Sequence, residues 1–381
     1  MPSIMPIYGT RPEAIKMAPI VLALQESPLF DCIVTVTGQH RAMLDQVNDL
    51  FGITPDHDLD ILQPGQSLSA IMTRTIDGLE KLFAHTRPDA VVVQGDTTTS
   101  TAGAIAAFYH GIPVVHVEAG LRSGDMLSPF PEEANRKITS QIASLHLAPT
   151  RTSRANLLAE NVPATDIAVT GNTVIDALLT TVSKEVPFED PRLEALASEG
   201  RKILLVTTHR RENQGEAMRG VGRALARIAD AEPDLVIVLP IHKNPVVRDA
   251  VLPFVETKAN VLVSEPLAYG EFTRMLSMAH IVLTDSGGVQ EEAPSLGKPV
   301  LVMRENTERP EAVEAGTVTL IGTDENKIVS EVDRLLHDQA HFDSMANAVN
   351  PYGDGKAAAR TVAAIAQLLG TGSRIGEFGE V

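Results

Sequence analysis

Three acidic residues in the first half of the sequence occupy positions where a side chain could move protons. Asp96 and Glu118 each end an apolar run, and Glu132 follows a proline-rich stretch where a helix is expected to begin. The carboxyl ends of parallel strands form the ligand-binding edge of a doubly wound sheet, so carboxylates there can serve as acids or bases. Asp96 could instead only cap the helix beginning beside Thr97, and Glu132 could only pair with Arg136. Glu118 has the weakest structural explanation.

Cationic side chains follow other predicted strands, where they could bind an anionic ligand. Arg11 and Lys16 lie in the first predicted helix, and Pro12 suits an early helical position because its missing N–H is not needed there. The alternative for these two cations is a solvated helical turn. In the second half, His209 begins a basic cluster after a strand and suits phosphate, and Arg309 is a further candidate.

The strongest local pattern is a buried strand that runs through Ser286, Gly287 and Gly288 into a helix. Glycines let the backbone approach a ligand closely, and helical N–H groups favour negative charge, so this turn predicts a phosphate cradle. A plain helix cap is the alternative for such a short motif. Glu292 lies one turn further on, where a carboxylate would repel phosphate unless it faced hydroxyl groups such as those of a ribose.

Composition limits the classes of partner and reaction. The formal net charge of −17 disfavours nucleic acids and anionic membranes, which are bound through lysine and arginine. The single cysteine, Cys32, cannot form an internal disulfide or a cysteine metal site. The sequence contains neither G-x-G-x-x-G after its first strand nor G-x-x-x-x-G-K-[ST], which disfavours a dinucleotide oxidoreductase and a P-loop enzyme. No leader or apolar membrane span is apparent, so we expect a cytoplasmic protein.

The elements that must position these residues alternate between short apolar runs and longer helical patterns, which predicts an α/β fold with parallel sheets. At 381 residues the chain is expected to form two domains. One conflict is Pro6, which falls in what should be a central strand. The predicted strands are residues 33–37, 90–94, 113–118, 167–170, 203–207, 235–240, 260–263, 281–284 and 299–303.

Two Rossmann-like domains facing a ligand cleft are therefore expected. The first covers residues 1–171 and the second residues 172–354, with a linker at or slightly before the acidic, proline-containing stretch 186–191. The glycine-rich tail, residues 371–381, is expected to be disordered.

Several motifs, taken together and in order, resemble the non-hydrolysing bacterial UDP-N-acetylglucosamine 2-epimerases from about residue 7 to about residue 367. Each motif alone is weak, but their combination is highly specific. The motifs are residues 9–13, 95–99, 116–122, 209–212, 285–292 and 350–355.

The resemblance implies a fold, an activity and a set of roles. The fold is GT-B, with a helix at about residues 355–370 that crosses back onto the first domain. The enzymes are typically homodimers that need no redox cofactor, and no metal site is implied. Asp96, Glu118 and Glu132 match the acid–base carboxylates and Lys16 an active-site lysine, while His209 stands among both the catalytic and the substrate-binding positions. The remaining substrate contacts implied are Arg11, Ser286, Gly287, Gly288, Glu292 as the ribose ligand, and Arg309.

Chemistry favours the same activity. The C2 hydrogen of an N-acetylhexosamine is not next to a carbonyl carbon, so inversion usually proceeds through a ketone made with NAD. Without an NAD fingerprint, the remaining route is loss of UDP from C1 with removal of the C2 proton, followed by readdition. This route requires carboxylates near C2 and cations near the diphosphate. The product, UDP-N-acetylmannosamine, would supply cell-surface polysaccharide synthesis.

Alternatives and one regulatory expectation stay open. A GT-B glycosyltransferase would also bind UDP, a hydrolysing 2-epimerase would release free N-acetylmannosamine and UDP, and a non-catalytic nucleotide-sugar sensor would not need the carboxylates. Some family members bind a second substrate molecule as an activator. Gln39, His40 and Gln66 stand in the matching region, but Gly65 replaces an arginine that some relatives carry.

Overall fold

The computed structural model of the chain describes residues 1–307 and 309–380 and divides them into two compact units. The first unit comprises Met1–Ala177 and Tyr352–Val381, and the second comprises Leu178–Pro351. The first division therefore falls within a helix, not in the stretch 186–191. That stretch is anchored in the second unit, where the Glu189 N–H donates to the Glu271 carboxylate at 2.7 Å.

The first unit contains a parallel sheet in the order β4-β3-β1-β5-β6-β7-β8, with the short β2 also paired to β1. Strand β5 has every residue buried and is rich in valine, as expected for a strand covered on both faces. The strands are β1 (Ser3–Tyr8), β2 (Asp31–Cys32), β3 (Thr35–Val36), β4 (His57–Asp58), β5 (Ala90–Gln94), β6 (Val114–Val117), β7 (Leu145–Ala148) and β8 (Ile167–Val169).

Helices cover this sheet, and several begin at side-chain caps that the sequence supplies. Thr10 and Glu13 form a capping box at the first helix, and Thr97 caps the fourth by accepting the Ser100 N–H. The helices are α1 (Arg11–Glu26), α2 (Arg41–Phe51), α3 (Leu68–Phe83), α4 (Thr98–Tyr109), α5 (Glu132–Ile142), α6 (Arg151–Ala159) and α7 (Thr173–Val182), which continues into the second unit.

Pro6 does lie in the central strand β1, and the register shows how the sheet tolerates it. Ile4 pairs with Cys32 of β2 and Ile7 pairs with Thr35 of β3, so Pro6 lies opposite the break between these two short strands. A proline donates no ladder hydrogen bond, and an interruption of the partner strand is where that loss disturbs least. Of the predicted strand at residues 33–37, Thr35–Val36 forms β3, and the separate β2 lies just before the predicted range.

The second unit contains a parallel sheet in the order β11-β10-β9-β12-β13-β14. Its strands are β9 (Ile203–Thr207), β10 (Val236–Pro240), β11 (Val261–Ser264), β12 (Ile281–Thr284), β13 (Val300–Val302) and β14 (Val318–Leu320). Its helices are α8 (Pro191–Glu199), α9 (Glu216–Ala231), α10 (Pro245–Val255), α11 (Tyr269–Met278), α12 (Gly287–Glu292), α13 (Pro310–Glu314), α14 (Glu325–His337) and α15 (Gln339–Ala346).

The chain then returns to the first unit through α16 (Ala357–Leu368), which packs on α1 and β7. The residues that follow were expected to be disordered, but residues 371–380 pack along the first unit. Arg374 donates to the carbonyl groups of Ile167 and Thr165, and the Phe378 N–H donates to Val169. The glycine-rich composition gave no sign of these contacts, in which the Arg374 side chain and the Phe378 backbone anchor the segment to the first unit.

The predicted fold class is confirmed, since each unit is a Rossmann-like layer of parallel strands and helices. None of the helices in the described part of the chain has the length and apolar character needed to span a bilayer.

Candidate active site

In the first unit, three loops meet where the strand order reverses. Strand β1 lies between β3 and β5, so the chain turns to opposite sides of β1 before and after this point. Ligands of doubly wound sheets bind outside the carboxyl ends of strands at such a reversal. The predicted residues Asp96 and Glu118 lie in the loops that follow β5 and β6, and Lys16 lies in α1, which follows the loop after β1.

Glu118 is the centre of a polar cluster. Its carboxylate is 6% exposed and receives the Lys16 ammonium at 2.5 and 2.7 Å from its two oxygens. Two amides add hydrogen bonds: Gln94 donates to Oε2, and Asn172 donates to Oε1 at 3.0 Å. The backbone of Glu118 has a φ of 61°, a left-handed conformation that is uncommon for a residue other than glycine and often marks a functional position. The sequence predicted Lys16 and Glu118 but missed both amides.

Asp96 lies beside this cluster and is held in an ion pair. The Arg136 guanidinium is 2.6 Å from its carboxylate, so Arg136 pairs with Asp96 and not with Glu132, the pairing that the sequence left open. Its loop is fixed on two sides: Asn135 donates to the Asp96 carbonyl at 2.8 Å, and His116 Nε2 is 2.7 Å from the Gly95 carbonyl. Burial of His116 lowers its pKa to about 4, so the ring is neutral near pH 7 and can donate to that carbonyl.

Glu132 is the first residue of α5, as predicted from its position after Pro131. Its Oε2 atom is buried and has no hydrogen-bond partner among the described residues. The neighbouring Glu133 differs, because it accepts the Ser123 N–H at 3.0 Å and pairs with Arg136 at 3.2 Å. Burial opposes ionisation of Glu133, but these donors outweigh it and lower its pKa. Of these two adjacent carboxylates, Glu132 is therefore the one with a buried oxygen that has no hydrogen-bond partner among the described residues.

Glu13 connects two of these loops, although only its helix-capping spacing from Thr10 marked it in the sequence. It is fully buried and accepts hydrogen bonds from the Gly9 and Thr10 N–H groups at 3.1 and 2.8 Å, and from the Thr97 hydroxyl at 2.7 Å. Burial raises its pKa. The loop carrying Arg11 and the loop carrying Asp96 are thereby held together.

Arg11 and two of the predicted activator residues lie near the loop that follows β1, whereas the third has a contact elsewhere. Arg11 is exposed and close enough to His40 that, together with burial, it lowers the histidine pKa. The His40 N–H donates to Gly9 at 2.9 Å, and Gln39 accepts the Thr99 hydroxyl at 2.6 Å. Gln66 instead accepts from Arg74 at 3.0 Å. The activator role stays a prediction.

In the second unit, the strand order reverses between β9 and β12, and the predicted phosphate residues follow these two strands. Asp285 is fully buried and accepts the N–H groups of His209 and Arg210, each at 2.9 Å, and the Thr208 hydroxyl at 3.0 Å. The His209 ring also lies 3.2 Å from this carboxylate. Burial opposes ionisation of Asp285, but these donors lower its pKa. The sequence did not single out Asp285 as the residue that shapes this loop.

The Ser286 turn has the geometry of an open cradle. Ser286 is the N-cap of α12, yet its side chain makes no capping hydrogen bond. A side chain added at Gly288 would meet nothing within 4 Å, so the backbone there is open to an approaching group. At the other end of α12, Glu292 is 7% exposed and lies close enough to Tyr269 to reinforce burial in raising the tyrosine pKa.

Two further residues lie near this loop region. Arg309 pairs its guanidinium with the buried Glu291, and its predicted contact with the ligand stays a prediction. His242, which the sequence analysis did not select, stacks on His209 with ring centroids 5.9 Å apart. It follows β10, the neighbour of β9, so its position after a strand was the available signal.

Together the two units hold the groups that the predicted reaction requires. The first has carboxylates and a lysine, and the second has a cationic loop beside a glycine turn. Residues 22–366 match the profile of the family described as UDP-N-acetylglucosamine 2-epimerase. The chain belongs to the UDP-N-acetylglucosamine 2-epimerase family. The resemblance seen in its motifs is thereby confirmed, and the glycosyltransferase and sensor alternatives lose support.

Individual relatives extend over nearly the whole chain. The family enzyme of Salmonella typhimurium is 53% identical and that of Escherichia coli K12 is 52% identical, each matching 95% of this chain and 98% of its own. A crystal structure of the Neisseria meningitidis enzyme bound to UDP-N-acetylglucosamine is 45% identical, with a TM-score of 0.84 over 96% of this chain and 100% of that one. The GT-B fold of the family is therefore shared along the chain.

Proposed function

We propose that this family member is of the non-hydrolysing type and interconverts UDP-N-acetylglucosamine and UDP-N-acetylmannosamine by elimination and readdition of UDP. Two observations support the proposal: Lys16 pairs with Glu118, and Asp96 pairs with Arg136 of α5, the helix that begins at Glu132. In this proposal the enzyme is a cytoplasmic homodimer that supplies N-acetylmannosamine units for cell-surface polysaccharides, as its motifs imply.

The surroundings of the three carboxylates support different roles for them. Glu118 is bonded by a lysine and two amides, and Asp96 is paired with Arg136. Glu132 has a buried oxygen with no partner in the described part of the chain, so it can accept a proton there without first losing a hydrogen bond. We assign proton transfer at C2 on one face of the sugar to Glu132, and assign Asp96 to the opposite face. The Lys16–Glu118 ion pair sets the electrostatic environment of Glu132 and Asp96.

The reaction is then balanced as follows. The C2–H bond breaks and its proton passes to a carboxylate, while the C2–H electron pair forms the C1–C2 double bond. The bond from C1 to the diphosphate oxygen breaks, and UDP leaves with that electron pair. On readdition the same oxygen attacks C1, and C2 receives a proton on the opposite face. No redox change occurs overall.

The second unit is proposed to hold UDP throughout. The cationic loop at His209 and the open backbone at Gly288 suit a diphosphate, and Glu292 suits the ribose hydroxyls. The Neisseria meningitidis relative binds UDP-N-acetylglucosamine, which supports a nucleotide-sugar site here. Arg11 supplies a further exposed cation, and Arg309 helps to fix α12 through its ion pair with Glu291 of that helix.

The test is incubation of the purified enzyme with UDP-N-acetylglucosamine in deuterated water, without acceptor or NAD, followed by proton NMR. The proposal predicts a mixture with UDP-N-acetylmannosamine and deuterium at C2 of both epimers. Accumulation of free N-acetylmannosamine and UDP would instead identify a hydrolysing enzyme. Epimerisation with retention of the C2 hydrogen would rule out proton exchange with solvent.

A further inference from the structure

Asn172 contacts the catalytic cluster although it lies in no motif that marked the site. It is 4% exposed and follows β8, and its side-chain amide donates to Glu118 Oε1 at 3.0 Å. The side-chain oxygen of Asn172 accepts the Val174 N–H at 3.1 Å, at the start of α7. One amide group therefore caps a helix and bonds a catalytic carboxylate at the same time.

Asn172 also lies where the chain leaves and re-enters the first unit. Its backbone N–H donates to the Tyr352 carbonyl at 2.7 Å, and Tyr352 is the first residue after the chain returns. Packing here is tight: a Cβ at Gly353 would lie 2.9 Å from Ile175 Cγ1 and 3.3 Å from the Asn172 carbonyl oxygen. The returning segment thus fixes the Asn172 backbone, and the Asn172 side chain in turn holds the Glu118 carboxylate through its hydrogen bond.

We propose that Asn172 is a positioning residue that holds Glu118 ionised and aligned with Lys16, and that ties this alignment to the segment returning at Tyr352. The inference rests on the proposed role of Glu118. Its physical basis is that a donor hydrogen-bonded to a carboxylate favours the charged form, and removal of that donor makes protonation easier.

The groups around Glu118 make this effect measurable. Lys16 contributes a positive charge from α1, Gln94 contributes a neutral donor from β5, and Asn172 contributes a neutral donor from beyond β8. His116 lies on β6, two residues before Glu118, and burial lowers the pKa of that ring to about 4. The ring is therefore largely neutral between pH 5 and 8, so its charge changes little while Glu118 is titrated over that range.

The experiment compares wild type with Asn172→Ser, because serine can still accept the Val174 N–H as a helix cap but is too short to reach Glu118. Glutamate labelled with 13C at the carboxyl carbon is incorporated, and the Glu118 signal is identified by its loss in Glu118→Gln. We expect the Glu118 titration to move upward by about one pH unit. The acid limb of kcat/KM is expected to move with it.

Two further variants keep the inference testable if Asn172→Ser folds poorly. Asn172→Asp places a second carboxylate beside Glu118 and is expected to raise its titration further. Gly353→Ala leaves Asn172 unchanged in sequence but displaces its carbonyl, and a smaller upward shift is expected. Asn48→Ser is the matched control, since Asn48 is also 4% exposed but bonds Tyr8, and it should leave the Glu118 titration unmoved.

An unchanged Glu118 titration in Asn172→Ser, together with a lowered Tm, would overturn the inference and reduce Asn172 to a helix cap. The NMR titration needs no turnover, so it separates this inference from the proposed function. A shifted titration in an enzyme without epimerase activity would support the positioning role and contradict the proposed reaction.

Discussion

Glu118 and Asp285 are both buried carboxylates that follow central strands, but their partners differ. Glu118 receives side-chain donors from separate parts of the first unit, namely Lys16, Gln94 and Asn172. Asp285 receives two backbone N–H groups, a hydroxyl and a side-chain amide, all from one segment of the second unit, residues 208–213. Side-chain donors can tune a charge, whereas backbone donors fix the path of a loop. The comparison supports the proposed roles, in which the first carboxylate takes part in chemistry and the second shapes a binding loop.

The largest effect is expected in the first unit. Glu118→Gln and Asp96→Asn keep the size of each side chain but remove its charge, and each is expected to lower kcat by about 10³-fold, within the range for acid–base groups. UDP affinity, measured by calorimetry, should change little because the diphosphate is assigned to the second unit. Glu80→Gln, on the exposed surface of α3, is the control and should leave both values unchanged. Equal losses of turnover and UDP affinity would contradict the proposal that the first unit transfers protons and the second unit binds UDP.

Asp285→Asn is expected to act on stability first. The new amide would direct a donor at the His209 and Arg210 N–H groups, so buried polar atoms would lose their partner at a cost of about 2–3 kcal/mol. Denaturant unfolding measures this cost, and weaker UDP binding should accompany it because the His209 loop is no longer fixed. A variant with wild-type stability would show that Asp285 does not organise this loop.

A smaller effect is expected at Gly288. An added methyl group meets nothing within 4 Å, so Gly288→Ala should leave stability unchanged or slightly increased. If the diphosphate approaches this backbone, UDP affinity should still fall about tenfold, which corresponds to 1.4 kcal/mol. Gly200→Ala is a poor control because the φ of Gly200 is positive. The control is instead Ala195→Gly, a change between alanine and glycine at an exposed position of helix α8. Unchanged UDP affinity in Gly288→Ala would show that the diphosphate does not approach the backbone at this glycine.

The smallest effect concerns acid stability of the first unit. His116 and His146 are adjacent across β6 and β7, and burial lowers the pKa of each to about 4. Their folded pKa values lie below the unfolded value, so the stability that they contribute is complete above pH 6.5 and is lost as the pH falls toward 4. At pH 6 the loss should be about 1 kcal/mol or less for each. His146→Gln should flatten this pH dependence in thermal unfolding, and an unaltered slope would contradict the assignment.

The sequence predicted the fold and the strand-end residues because both depend on local patterns. Apolar runs such as residues 90–94 and 203–207 specify buried parallel strands, and the polar residues after them are carried to one sheet edge. Interactions between distant segments left no such pattern. Asn172 reaches Glu118 across 54 positions, and Arg136 pairs with Asp96 and Glu133 but not with Glu132. The tail at residues 371–380 was likewise mispredicted because its anchors lie in β8 and the preceding loop.

The most direct test of the account is Glu132→Gln followed by proton NMR in deuterated water, with UDP affinity measured on the same sample. Glu132 has a buried oxygen without a partner among the described residues and is assigned to C2 proton transfer, whereas UDP is assigned to the second unit. The account therefore predicts that UDP affinity stays within a few-fold of wild type. Deuterium entry at C2 should fall by about 10³-fold, most steeply from the epimer whose C2 hydrogen faces Glu132. Wild-type deuterium exchange in this variant would contradict the account, because C2 proton transfer would then not depend on Glu132.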